Sequence, residues 1–151
     1  MPLDDLIQHL LDTVYTMTLA TSGERGAPHA AAVYFASDPH LRLFFFSGVD
    51  SQHSLDLSQG SRAAVVIYPE CWDWQDIRGV QMRGAARQIS QGQLWEHAWE
   101  RYAAKFPFVA ALENVIADNR FYVFDPHWVR LVDNSRGFGF KLEWDLGVHL
   151  S

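Results

Sequence analysis

The 151-residue chain is 48% hydrophobic and 14% aromatic, enough for one substantial core and too much for a disordered segment. Its formal charge of −6, from 12 Lys+Arg against 18 Asp+Glu, disfavours a broad nucleic-acid or anionic-membrane surface but leaves room for a local anion pocket. The single cysteine, Cys71, excludes an intrachain disulfide and a cysteine-based zinc site. The opening MPLDDLIQHLL is acidic and its apolar run is too short for a secretory leader, and nowhere do the 18 apolar residues of a membrane span run together. One soluble, cytoplasmic domain over residues 1–151 is expected.

Pro2, Asp4 and Asp5 open a short amphipathic helix in which Leu3, Leu6, Ile7, Leu10 and Leu11 share a face. From Val14 the period becomes two. Tyr15, Met17 and Leu19 alternate with Thr16, Thr18 and Ala20, as in a half-buried strand. Turns at 22–28 and 37–40 separate it from HAAAVYFA and LRLFFFS, and three strands with tight loops read as an antiparallel meander. Asp50 or Ser51 then caps a short helix with Leu55 and Leu57 facing inward. RAAVVIYP is a fourth strand. A tryptophan-bearing loop, ECWDWQDI, leads to a fifth, GVQMRGAARQIS, in which Gly84 signals a bulge or a close backbone approach. Ser90-Gln91-Gly92-Gln93 has the form of a capping box before a helix carrying Leu94, Trp95, Ala98, Trp99 and Tyr102. A further helical piece is expected from Val109 to about Ile116. The chain closes on a hairpin of RFYVFDPHWVRLVD and FGFKLEW about a turn at 133–137. The sum is an α+β, mainly β chain. Its long apolar strands favour closure into a small barrel, because open edges invite aggregation.

Few local motifs carry chemistry. The seven histidines show no metal-ligand spacing, and neither a Gly-x-Ser-x-Gly nucleophile turn nor a phosphate loop occurs. In FFSGVDSQHS a strand end meets a helix start, where free backbone N–H groups, the hydroxyls of Ser47 and Ser51 and the ring of His53 offer a place for phosphate. An ordinary helix cap is the simpler reading of that segment alone. Gln81 lies on the strand face opposite Val80 and Met82, where a solvated amide is the plain expectation. Trp72, Trp74 and Trp128 read as core or interface residues before they read as stacking walls. Arg136, taken alone, is a solvated turn residue.

In their order, TLATSGERGAPHAAAVYF, LFFFSGVDSQHSLDL, RAAVVIYP and GVQMRGAA resemble the FMN-binding split-barrel family related to pyridoxamine 5'-phosphate oxidase. The likeness covers residues from about 14 to 90, and the closing hairpin extends it toward the short YhbP-like branch. It implies a six-stranded antiparallel split β-barrel with peripheral helices, a homodimer, and FMN bound in clefts between the subunits. On this chain it implies that Phe46 and Ser47 stand at the flavin and that Ala32, Val33 and Tyr34 run beside the isoalloxazine ring. Ser51, Gln52 and His53 fall on the phosphate-binding stretch, and Gln81 on the strand face of a flavin-contacting glutamine. Of the family's Ser-Arg-Lys only the serine survives, and Ala31 replaces a phosphate-binding arginine, so phosphate binding is expected to be weak and pH-sensitive. Arg130-Leu131-Val132-Asp133-Asn134 is similar to the oxidases' Arg-Leu-His-Asp-Arg, which holds the substrate. Arg130 is kept, Val132 and Asn134 replace the histidine and second arginine, and Arg136 offers the missing charge from the turn. The implied activity is FMN-dependent oxidoreduction of a small molecule other than pyridoxamine 5'-phosphate. The alternatives are a non-catalytic flavin- or haem-binding protein on the same dimeric barrel, or a dimeric domain without cofactor. No metal, nucleic acid or membrane partner is expected.

Overall fold

A computed structural model of the chain describes residues 2–112 and 118–147. The first element is helix α1, Asp5–Thr13. Asp4 caps it, its carboxylate accepting from the Leu6 N–H at 3.0 Å, and Ile7, Leu10 and Leu11 are buried against the sheet. Strands β1 (Thr16–Ser22) and β2 (Pro28–Tyr34) form the first hairpin. Met17 and Leu19 point into the core as their alternation predicts, whereas Tyr15 lies before the strand and is exposed.

The expected meander stops there. Phe35 alone separates β2 from β3 (Ala36–Ser37), yet these two short strands form opposite ends of the sheet, whose order is β2-β1-β5-β6-β7-β4-β3. The strand that follows, β4 (Leu43–Gly48), therefore pairs with β3 and with the distant β7 instead of with β2. Since one buried residue joins the two ends, the sheet has to curl until they meet without a hydrogen-bonded ladder between them. That is a barrel split at Phe35. The remaining strands are β5 (Arg62–Ile67), β6 (Arg78–Gln88), β7 (Asn119–Asp133) and β8 (Lys141–Asp145), all in antiparallel pairs. The count is eight strands, not six. Edge strand β8, which pairs only with β7, is the second arm of the closing hairpin read from the sequence, and two-residue β3 is the addition to the strands read there.

Helix α2 (Gln52–Gln59) is capped by Ser51, whose hydroxyl accepts from the Ser54 N–H. Its buried residues are Ser54 and Asp56; of the two leucines expected to face inward, Leu57 is half-buried against the barrel core and Leu55 is exposed. Helix α3 (Gln93–Lys105) starts after Gly92 with no side-chain cap, so the capping box does not form. A 3₁₀ segment follows at Pro107–Leu112, and the rest of the helical piece expected to Ile116 lies outside the described residues.

Two cores result. One fills the barrel with Leu19, Phe45, Ile67, Met82, Phe124 and Leu131 among others. The other lies between α3 and the outer side of β4 and β7, where Phe44, Phe121 and Val123 meet Ala98, Tyr102 and Phe106. Burial on both faces explains why β4 reads as an unbroken apolar run. At Gly84 the β6–β7 register shifts, and a Cβ there would stand 2.1 Å from the Asp125 carbonyl oxygen, so both anticipated reasons for this glycine hold.

Candidate functional site

The sheet places an almost straight row of residues on its outer face. Ala32, Thr18, Val66, Gln81, Arg130 and Glu143 are in register across β2, β1, β5, β6, β7 and β8. The next row along the strands is Ala30, Ala20, Ala64, Arg83, Trp128 and Asp145. Both alternate with buried residues such as Leu19, Val65, Met82 and Val129, which turn these side chains away from the barrel. Between the rows lies a cleft of about 420 Å³, lined by Thr18, Ala20, Ala64, Val66, Gln81, Arg83, Trp128 and Arg130 among others. That volume suits a small organic molecule, for which roughly 300–1,000 Å³ is usual. Small residues make its floor, and Trp128 makes one wall.

The polar groups of this cleft are fixed by one another. The Arg130 guanidinium pairs with Glu143, Nη2 to Oε1 at 2.6 Å and Nε to Oε1 at 2.8 Å, and lies 4.9 Å from the Trp128 ring centroid. The hydrogen bond from Arg130 holds the Glu143 carboxyl below its ordinary range. Arg130 Nη1 also donates to Gln81 Oε1 at 3.4 Å. Because arginine only donates, this contact uses the oxygen of Gln81, a cleft-lining residue, and leaves its NH₂ as a donor for another group. Arg83 stacks over the same tryptophan, its Cζ 4.0 Å from the ring centroid.

The other anticipated residues are elsewhere. Ser47 is the next-to-last residue of β4 and is buried. Its hydroxyl meets Ser51 Oγ at 2.7 Å, Ser54 Oγ at 2.9 Å and His53 Nε2, while Tyr122 donates to Ser54 at 3.2 Å. Burial pushes the His53 pKa down, and the nearby Asp56 charge only partly offsets it, so the ring resists protonation. The expectation of a cationic His53 receiving phosphate meets that obstacle. Gln52 belongs to a different cluster. Buried Asp56 accepts from Gln52 Nε2 at 2.8 Å and Thr21 Oγ1 at 2.7 Å, with His29 Nδ1 also at 2.8 Å. Phe46 lies under α3, stacked on Phe121 at 4.0 Å and 3° and meeting Tyr102 edge-on. Ala32 and Tyr34 face outward on β2 and Val33 the other way, half-buried. Tyr34 packs beside Phe106 at 5.3 Å.

The turn after β7 is a 3₁₀ segment, Asn134–Arg136, and its polar side chains are engaged within the chain. Asn134 donates to the Trp74 carbonyl at 2.9 Å and accepts from Gly139 N–H at 3.0 Å, locking the turn to the loop before β6. Arg136 grips Asp4 with two hydrogen bonds, of 2.8 and 3.1 Å, and meets Asp133 Oδ2 at 2.9 Å. It joins the closing hairpin to the cap of α1. Neither Asn134 nor Arg136 lines the cleft. Removing Arg136 as alanine should speed hydrogen exchange at the Leu6 and Ile7 amides, with high salt reproducing part of the effect in the parent protein. Unchanged protection there would mean that α1 is held without the pair.

Of the anticipated residues the structure therefore brings Gln81, Arg130 and the β2 residue Ala32 into one row, and gathers Ser47, Ser51 and His53 in another place. Arg83, Trp128 as a wall, and Thr18 were missed as cleft residues. A period-two count from Gln81 would have found Arg83, but only the register puts Trp128 beside it. The fold and this face together define an antiparallel split-barrel protein with a cleft on the outer side of its sheet. Residues 3–133 match the pyridoxamine 5'-phosphate oxidase family pattern, and the chain belongs to that family. It is 30% identical to a UPF0306 protein of Pasteurella multocida over 88% of this chain and 85% of that one. Among solved structures it is similar to a haem-binding protein from Mycobacterium smegmatis, with a TM-score of 0.76 and 20% identity over 96% of this chain and 60% of that one. It is also similar to HutZ, the haem storage protein from Vibrio cholerae, with a TM-score of 0.71 and 15% identity over 83% and 91%. At those identities the likeness is one of fold.

Proposed function

We propose that the chain binds FMN with its ring in the outer-face cleft and acts as an oxidoreductase on a small molecule. The observation that carries this is the cleft itself: a flat floor of small side chains, an indole wall, and a glutamine amide whose NH₂ the Arg130 contact leaves as a donor. A planar ring with carbonyl and nitrogen acceptors along its edge fits that arrangement. FMN, when bound, supplies the hydride-accepting chemistry. The chain supplies position. Gln81 donates to the ring edge, Arg130 is fixed by Glu143 beside it, and the sheet covers one face of the ring from water. Among the described residues no helix is long and apolar enough to cross a membrane.

A second copy of the chain completes the cleft in this reading. Tyr34, Tyr68, Trp74 and Ile77 are exposed, as are Trp72 at 94% and Phe138 at 84%, more apolar surface than a monomer usually leaves open. Pyridoxamine 5'-phosphate is not the substrate, because Val132, level with Gly79 and Lys141, has no hydrogen bond to give where the oxidases have histidine. A second reading, haem binding, has one observation in its favour: the exposed imidazole of His127 lines a groove adjoining the cleft.

The test is the absorbance of the protein purified with each cofactor, together with light scattering. Flavin bands that bleach with a reductant, in a dimer, support the first reading; a Soret band supports the second. Gln81→Leu should weaken flavin binding by about tenfold, the worth of one hydrogen bond of roughly 1.4 kcal/mol. An unchanged affinity would place the ring elsewhere.

A further inference from the structure

On the reading that the outer-face cleft holds the ligand's ring, we propose that the ligand's anionic end is held by Arg62 and Arg83, not by the Ser47–His53 segment.

The groove in question is a second depression on the same face, also of about 420 Å³. It shares Ala20, Ala64 and Arg83 with the cleft, so the two are continuous, and it adds Arg62, Ser22 and His127. No carboxylate lines either depression, although the chain carries a net −6. Among the described residues no acid comes within 4.0 Å of the Arg62 or Arg83 guanidinium. Glu143 feels the charge of Arg83 but is bonded to Arg130. Asp125 is level with Arg62 across Ala85, and Asp145 with Arg83 across Trp128, yet neither lines the groove. Asp56 is buried and has its oxygens taken by Thr21, Gln52 and His29. Two arginines without a carboxylate partner, one of them stacked on Trp128, make a local anion site on an acidic protein, and the planar guanidinium fork matches phosphate or carboxylate oxygens.

The start of α2 has the opposite character. The Ser47, Ser51 and Ser54 hydroxyls and His53 satisfy one another, Gln52 is held by Asp56, and burial disfavours a charge on His53. That segment offers no cation. The positive charge stands on β5 and β6 instead, with Arg83 two residues along the strand face from Gln81 and Arg62 one row further, beyond Ala64.

The chemistry named is an oxyanion on a planar ring, and two sources carry it: the phosphate of FMN, or the carboxylates of a porphyrin. Fluorescence titration of the full-length protein with FMN and with riboflavin, which lacks the phosphate, reads the first. Arg62→Gln should weaken FMN by about tenfold and leave riboflavin unchanged. Val66→Trp, a bulky side chain on the open floor of the cleft, should abolish both while leaving the circular dichroism spectrum native. If the ring is a porphyrin, Arg62→Gln weakens haem and not its dimethyl ester. An Arg62→Gln protein with the parent's FMN-to-riboflavin ratio, beside a Val66→Trp protein that binds neither, would overturn this inference alone. A folded Val66→Trp protein that still binds flavin would overturn the cleft reading. Side-chain NMR gives an arm free of any ring: inorganic phosphate should shift the guanidinium signals of Arg62 and Arg83. Shifts confined to Ser51 and His53 would refute the assignment.

Discussion

Gly84→Ala should destabilise the protein by more than about 3 kcal/mol, at or beyond the upper end of ordinary overpacking. The added Cβ would lie 2.1 Å from the Asp125 carbonyl oxygen and 2.8 Å from Pro126 Cα, and both are backbone atoms in the longest ladder of the sheet. A flexible side chain could swing aside; a paired strand cannot, so the β6–β7 bulge has to open. Since a domain of this size is stable by roughly 5–15 kcal/mol, such a loss should be plain in a urea denaturation curve. Gly79→Ala is the internal control. Its Cβ would meet the Ile67 carbonyl oxygen at 3.0 Å and Tyr68 Cβ at 3.1 Å, a mild crowding that small shifts relieve. If the two variants unfold at the same urea concentration, the bulge is not the constraint described.

Asp56→Ala should cost about 3 kcal/mol, because it leaves the buried Thr21 hydroxyl and the Gln52 amide without their acceptor. The same residue sets an acid limit. Burial alone would raise its pKa, but hydrogen bonds from Thr21, Gln52 and His29 outweigh it and bring the net value below the ordinary 3.8. Asp38 is lowered in the same way: burial is outweighed by Arg42, His97 and the Arg42 backbone N–H. For carboxylates with depressed folded pKa values the unfolded chain takes up protons first. Their stabilisation is complete above about pH 4 and is lost as pH falls through the folded values. Urea midpoints measured from pH 6 to pH 2 should drop steeply at the acid end, and Asp56→Asn should drop less steeply from a lower start. Parallel curves would show that Asp56 does not titrate across unfolding.

Much of the architecture was legible beforehand, and for identifiable reasons. The strands of β1 and β6, and the second half of β7, announce themselves by alternation, because each has one face in the barrel core and one outside. Gly84 was legible because few roles suit a glycine inside a strand. The inward face of α2 was legible only at Leu57. Ser54 and Asp56 point inward because the groups beneath them, Ser47, Tyr122 and Thr21, are polar, and no helical period records what a neighbour offers. The place of Arg136 was equally hidden. Its partner Asp4 stands 132 residues away and reads only as a helix-start acid, while Arg136 alone reads as a solvated turn residue.

By itself the sequence determined an antiparallel, mainly β chain of the pyridoxamine 5'-phosphate oxidase family, since period, turn chemistry and the order of segments are local properties read along the chain. Only the tertiary structure decided which end of the sheet each strand joins, because the single residue Phe35 sends the chain across the split and no local pattern marks that crossing. It also decided that Gln81, Arg130 and Trp128 share a cleft while Phe46 lies beneath α3. Cross-strand register creates that neighbourhood, and register is a property of pairs of strands far apart in sequence.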